Sequence, residues 1–178
     1  MKLLIVLTLL GVAFWGWFAG KAFLLKQRRR CLLLTPFPPA WDGILGQNLP
    51  PYGKLAPDLR QQLQDIIKIF IAEKSFEGCG GLTMSDEIKV TIAAQAGMLL
   101  LNRKLECYPR LYSVLVYPST YVAAVSHGLG LEEEGSVRLG ESWNTGAVVL
   151  AWDSVKRGAV NFHDGHNVTM HEFAHQLD

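Results

Sequence analysis

Asn167-Val168-Thr169-Met170-His171-Glu172-Phe173-Ala174-His175-Gln176-Leu177-Asp178 is the stretch that decides how the rest of this chain is read. Asn167 follows an Asp164-Gly165 turn and suits a helix N-cap, because its side-chain oxygen can accept a first-turn N–H. In a helix starting there, His171 and His175 lie four residues apart and stack on one face. Both imidazoles then reach one zinc ion at about 2.0–2.1 Å. Glu172 leaves the same region of the helix without having to ligate the metal. From there it can take a proton from a zinc-activated water and pass it to a leaving amine. No proline or charge intrudes between Glu172 and His175, and Val168, Phe173, Ala174 and Leu177 are apolar or small. The competing reading is a helix that carries two histidines without any metal.

Working back from that helix, the pattern is one of strands. Ala147 to Trp152 is apolar and β-rich, Val137 to Leu139 is a shorter candidate, and Tyr121 to Val125 another. Leu111-Tyr112-Ser113-Val114-Leu115-Val116-Tyr117 is rich in β-branched and aromatic residues and stops at Pro118, which predicts a strand. Asp153 suits the cap of a short helix through Val155 to Ala159. His127 to Gly135 reads as a loop. Further upstream the periodicity becomes helical. Leu59, Leu63, Ile66, Ile67, Phe70 and Ile71 share one stripe between Pro57 and Phe76. Pro57 suits the first turn of that helix and Asp58 its dipole. Gly78-Cys79-Gly80-Gly81 ends the element in a turn. A second helix is predicted from Ser85-Asp86-Glu87 to Asn102, its alanines and Gly97 pointing to close packing against a neighbour. Helices, then strands in a small mixed sheet, then a final helix define an α+β fold.

The N-terminal region is of a different character. Leu3 to Gly20 carries no charge, and Lys21, Lys26 and Arg28 to Arg30 follow it. Such a run is expected to be a transmembrane helix, with residues 1–30 as an anchor with a basic flank and 31–178 as the catalytic domain. A cleaved signal peptide is the alternative, and Trp17, Phe18 and Lys21 fit its cleavage site poorly. The positive-inside rule places the domain in the cytoplasm as part of a single-pass membrane protein, or in the cytosol if the anchor is not used. Thr35-Pro36-Phe37-Pro38-Pro39 reads as a stiff linker that stops the helix.

With 178 residues, 49% hydrophobic and 19% charged, the chain can bury a core. A formal net charge of +1 gives no basis for a nucleic-acid partner. Cys31, Cys79 and Cys107 are odd in number and widely spaced, which excludes a disulfide framework and predicts thiols.

Several segments together resemble one family. They are Pro36-Phe37-Pro38, Phe76-Glu77-Gly78-Cys79-Gly80-Gly81, Val90-Thr91-Ile92-Ala93-Ala94-Gln95-Ala96 and Val114-Leu115-Val116-Tyr117-Pro118. Leu139-Gly140-Glu141-Ser142-Trp143, Val148-Val149-Leu150-Ala151-Trp152-Asp153 and Asp164-Gly165-His166-Asn167 complete the set, ahead of His171-Glu172-Phe173-Ala174-His175. The chain is similar to the zinc-dependent peptidases of the Mlc titration factor A family. The resemblance implies a gluzincin-type, zincin-like domain, Zn2+ as cofactor, aminopeptidase or related peptidase activity, and a peptide or protein substrate. It carries over His171 and His175 as zinc ligands and Glu172 as catalytic base. It also suggests a transcriptional regulator as partner, since the family prototype is named for association with a repressor. The family's third zinc ligand, a glutamate, and its tyrosine proton donor lie downstream of the histidine pair. Neither can be placed before Asp178, so the expectation is an incomplete domain that is inactive as it stands.

Lesser candidates read as ordinary surface or core. Asp178 is a solvated terminus or a partner of the metal site; His163, His166 and His127 are polar surface, with His166 a support for the ligands as the alternative. Cys79 is expected as a buried thiol between glycines, Glu132-Glu133-Glu134 as a solvated loop, and Arg28 to Arg30 as topology determinants. Ala147 to Trp152 is the candidate substrate-binding strand by analogy with other zincins. A non-catalytic binding module is the alternative function, and a membrane-anchored structural protein with a chance motif the third.

Overall fold

The computed structural model describes residues 2–103, 107–119, 146–161 and 167–177. Two units can be distinguished, Met1–Pro36 and Phe37–Asp178. The first is helix α1, Lys2–Leu34, with Leu10, Phe14, Trp15, Trp17, Phe23 and Leu24 exposed. α1 does not end with the uncharged run. It continues through Lys21, Lys26 and Arg28 to Arg30, so one rod carries both the apolar and the cationic residues. Among the described residues, no helix is long and apolar enough to cross a membrane. The expected transmembrane span, and with it the single-pass membrane placement, is therefore corrected: the cations belong to the helix itself rather than to a separate flank.

The second unit opens with α2, Pro39–Asn48, which starts at the last residue of the expected linker, and a 3-10 turn at Pro50–Lys54, in a stretch for which the sequence pointed to no element. Proline sits in the first turn of each, where its missing N–H costs nothing. α3, Pro57–Glu73, buries Leu63, Ile66, Ile67 and Phe70 along the predicted stripe. α4, Asp86–Met98, is capped by Ser85, whose hydroxyl accepts the Ile88 N–H at 3.3 Å, and its acidic first turn favours the helix dipole. α4 ends at Met98 rather than at Asn102, which adopts a positive φ of 61°. The small residues expected to allow close packing do so. A Cβ on Gly97 would stand 2.7 Å from Leu63 Cδ1, so α3 and α4 approach closely there.

Three strands follow as β1, Ser75–Gly78, β2, Ser113–Tyr117, and β3, Ala147–Ala151. They pair in the order β1-β2-β3, both pairs parallel, with Val114 opposite Val148 and Val116 opposite Leu150. The small sheet is present, but its described strands are all parallel rather than mixed. β1 is the element the sequence conceals. In the sequence Phe76 only bounds the segment that holds the α3 stripe, yet Ser75 N–H donates to Tyr112 O at 2.9 Å and Cys79 N–H to Val116 O at 2.8 Å. A four-residue strand with one strong apolar residue becomes visible only through its partner. The glycine turn after it is as expected, with Gly80 and Gly81 at φ 58° and 83°, conformations costly for other residues. Candidate strands at Tyr121 to Val125 and Val137 to Leu139 lie outside the described residues.

Helix α5, Trp152–Val160, comes directly after β3, and helix α6, Val168–His175, closes the described chain. The core unites Leu45, Leu49, Leu63, Ile66, Phe70, Ile92, Val114, Val116, Val155 and Phe173 across helices and sheet. Lys74 ends α3 inside it. Its ammonium donates to Tyr108 O at 2.7 Å and Leu111 O at 2.8 Å, which compensates a charge otherwise costly to bury. The cysteines remain thiols; Cys107 is buried, but Cys79 is only half-buried, a correction to its expected burial.

Tyr52 ties the 3-10 turn to α2 and α3. Its hydroxyl donates to Asp42 Oδ1 and accepts from Gln64 Nε2 at 2.7 Å. Burial, followed by the Asp42 carboxylate, pushes its phenol up to about 12. The folded value therefore lies above the unfolded value of about 10. The resulting stabilisation is full below pH 10 and lost as pH rises through 12. Urea unfolding midpoints should fall between pH 10 and 12, and the fall should be shallower in Tyr52→Phe.

Candidate metal centre

The geometry of α6 follows from helical pitch. Each residue turns the helix by about 100°, so Thr169, Phe173 and Leu177 share one face while His171 and His175 lie on the other. Thr169 and Phe173 are buried and Leu177 packs against the core. His171, Ala174 and His175 are exposed, and Glu172, between the two faces, is half-buried. Phe173 is the anchor. Its ring centroid is 5.7 Å from Phe70 and 5.3 Å from Tyr108, and Phe70 and Tyr108 are themselves 5.9 Å apart. All three rings are fully buried, in edge-on and tilted arrangements that aromatic quadrupoles favour. Tyr108 is fixed in turn by donating its O–H to Ala96 O at 2.8 Å, and burial holds its phenol well above the ordinary range.

At the N-terminus of α6, the Asn167 side chain accepts the Met170 N–H at 2.9 Å, so the predicted cap is present. His171 N–H donates to Asn167 O at 3.0 Å, which places His171 within the wound helix. The Thr169 hydroxyl is buried with no hydrogen-bond partner among the described residues, so packing rather than polar bonding carries this face.

On the outer face, His171 Nε2 and His175 Nε2 are 3.1 Å apart, with ring centroids at 4.5 Å and planes at 88°. Two nitrogens bound to one tetrahedral zinc at about 2.0–2.1 Å would be about 3.3 Å apart. The pair is thus spaced to share one ion with only a small adjustment. Among the described residues, no group of three or more His, Cys, Asp or Glu is placed to hold a metal. The two histidines fit as part of a ligand set. Burial raises the Glu172 carboxyl above its ordinary value, and the neighbouring His171 and His175 charges pull it partly back. Asp178, His163, His166, His127 and Glu132 to Glu134 lie outside the described residues.

The chain has relatives among known proteins. Residues 23–178 match the family described as glucose-regulated metallo-peptidase M90, and the chain belongs to that family of metallopeptidases. It is 44% identical to the protein slr2042 of Synechocystis sp. over 179 residues, which cover 98% of this chain and 64% of that protein. It is also 28% identical to the Mlc titration factor A proteins of Yersinia pestis and Yersinia pseudotuberculosis over 134 residues, 74% of this chain and 49% of each of those. The chain spans from about half to just under two-thirds of the length of these relatives.

The sequence singles out His171, Glu172 and His175 as candidates, and the Asn167 cap it predicts is present. It does not reveal the residues that hold them in place, Phe70 and Tyr108, because they lie on α3 and in the loop before β2, far away in sequence. Phe173→Ala should remove about 3–5 kcal/mol of stability. Urea denaturation measures this, and a loss below 1 kcal/mol would show that the aromatic cluster does not anchor α6.

Proposed function

We propose that this chain carries the metal-binding and proton-transfer residues of a zinc-dependent peptidase that acts as an aminopeptidase. The observation that carries this reading is the 3.1 Å spacing of the two exposed imidazole nitrogens beside a half-buried carboxyl whose proton affinity is raised. His171 and His175 are the zinc-holding residues. Zinc, when bound there, supplies Lewis acidity. Glu172 serves as general base. Its carboxylate takes the proton of the attacking water and returns it to the nitrogen of the leaving amine, as the amide C–N bond breaks. A half-buried carboxyl next to the two imidazoles in the helix is placed for this double role. Family membership supports the peptidase class. A peptide with a free amino terminus is the proposed substrate.

A regulatory protein partner is the second part of the proposal, supported by the name of the Yersinia relatives, Mlc titration factor A.

The test combines metal content with turnover, in the protein as purified from its source. His171→Ala and His175→Ala should each lose zinc by elemental mass spectrometry. Glu172→Gln should keep the metal while peptide hydrolysis falls about 10²–10⁴-fold. N-terminally blocked peptides should resist cleavage. Equal zinc content in wild type and His171→Ala would falsify the ligand assignment, and full turnover in Glu172→Gln would remove the base.

A further inference from the structure

We propose that Asn167 is a positioning residue for the histidine pair, acting as a clamp that fastens the start of α6 to the end of α5. The proposal rests on the assignment of His171 and His175 as metal ligands. Two hydrogen bonds define it. Asn167 Oδ1 accepts the Met170 N–H at 2.9 Å, and Asn167 Nδ2 donates to Gly158 O at 2.7 Å. The first satisfies one of the unpaired donors that begin α6. The second satisfies a carbonyl in the last turn of α5, where helices leave their final four acceptors unpaired. One side chain therefore closes two helix ends at once, the amide oxygen serving α6 and the amide nitrogen α5. An aspartate retains the acceptor but would face the Gly158 carbonyl with a second oxygen. A serine retains the cap, but its shorter side chain has one polar atom in place of the two separate ends of the amide.

Gly158 completes the arrangement. A Cβ there would stand 2.9 Å from Asn167 Cγ, so the absence of a side chain on α5 leaves the space that the amide fills. The clamp acts close to the metal-facing residues. His171 is the fourth residue after Asn167, and its N–H bonds the Asn167 carbonyl. Unwinding the first turn of α6 would take His171 out of its four-residue relation to His175. An eight-residue helix has little stability of its own, so fixing its first turn matters more than in a longer helix. α5 is itself held from α4, where Gln95 Nε2 donates to Val155 O at 3.1 Å. The histidine pair is thus referenced to the core through Asn167 at its N-terminal side and Phe173 in its middle.

The experiment compares wild type with Asn167→Asp, Asn167→Ala and Gly158→Ala at a temperature where circular dichroism shows each folded. Amide hydrogen exchange at Met170 and His171 is followed by NMR without metal, and Co2+ is titrated while its d–d spectrum is recorded. All three variants should exchange faster at these two amides and bind Co2+ about tenfold more weakly. Asn167→Asp is the deciding variant, because it keeps the cap and loses only the bond to α5. Wild-type exchange and wild-type Co2+ affinity in Asn167→Asp would reduce Asn167 to an ordinary cap and overturn the proposal. Gly158→Ala probes the clamp with Asn167 intact, so a poorly folding Asn167 variant does not decide the matter. Equal Co2+ uptake by wild type and His171→Ala would overturn the ligand assignment instead, and the positioning role with it, while the exchange data would still report the bond between α5 and α6.

Discussion

Burial of Phe173 against Phe70 and Tyr108 is the contact on which the candidate site depends. A helix has no freedom to choose its two faces separately. Once Phe173 is committed to the core, the pitch places His171 and His175 outside and Glu172 at the boundary. The outward pair lies on the face turned away from the core, and the boundary carboxyl is partly desolvated. The apolar anchor therefore sets both the accessibility of the imidazoles and the raised proton affinity of the glutamate. A charged or small residue at position 173 would leave the same motif in the sequence without the same geometry.

The remainder of the second unit supports that anchor. Phe70 is set by the stripe of α3, and Tyr108 by its bond to Ala96 O on α4. Lys74 ties the loop around Tyr108 and Leu111 to the end of α3, through two carbonyls that would otherwise be buried near a charge. β2 and β3 provide a buried floor, with Val114, Val116, Val148 and Leu150 turned into the core. Parallel strands need long connections and cover on their faces, and the helices supply that cover. The site helix thus depends on three segments widely separated in sequence, α3, α4 and the 107–111 loop.

The N-terminal helix shows how a compositional reading can go wrong. Eighteen uncharged residues invite a membrane span, and the cations after them invite a flank outside it. In the structure both belong to one helix from Lys2 to Leu34, whose later turns carry Lys21, Lys26 and Arg28 to Arg30. The break came where backbone chemistry predicted, at the Pro36-Phe37-Pro38 segment, since proline cannot continue a helix.

Local chemistry in the sequence determined a good deal by itself: the stripe of α3, the start of α4 near Ser85, the Asn167 cap, the strands ending at Tyr117 and beginning at Ala147, the glycine turn after β1 and the spacing of His171, Glu172 and His175. All of these arise from interactions within a few residues, so they are legible without the fold. β1, α2 and the parallel pairing were not legible, because a four-residue strand and a proline-led helix acquire their stability from distant partners. Only the tertiary structure decided that Phe173 meets Phe70 and Tyr108, and that the Asn167 amide reaches Gly158. Burial and long-range hydrogen bonds depend on which segments the whole chain brings together, and no local pattern encodes that.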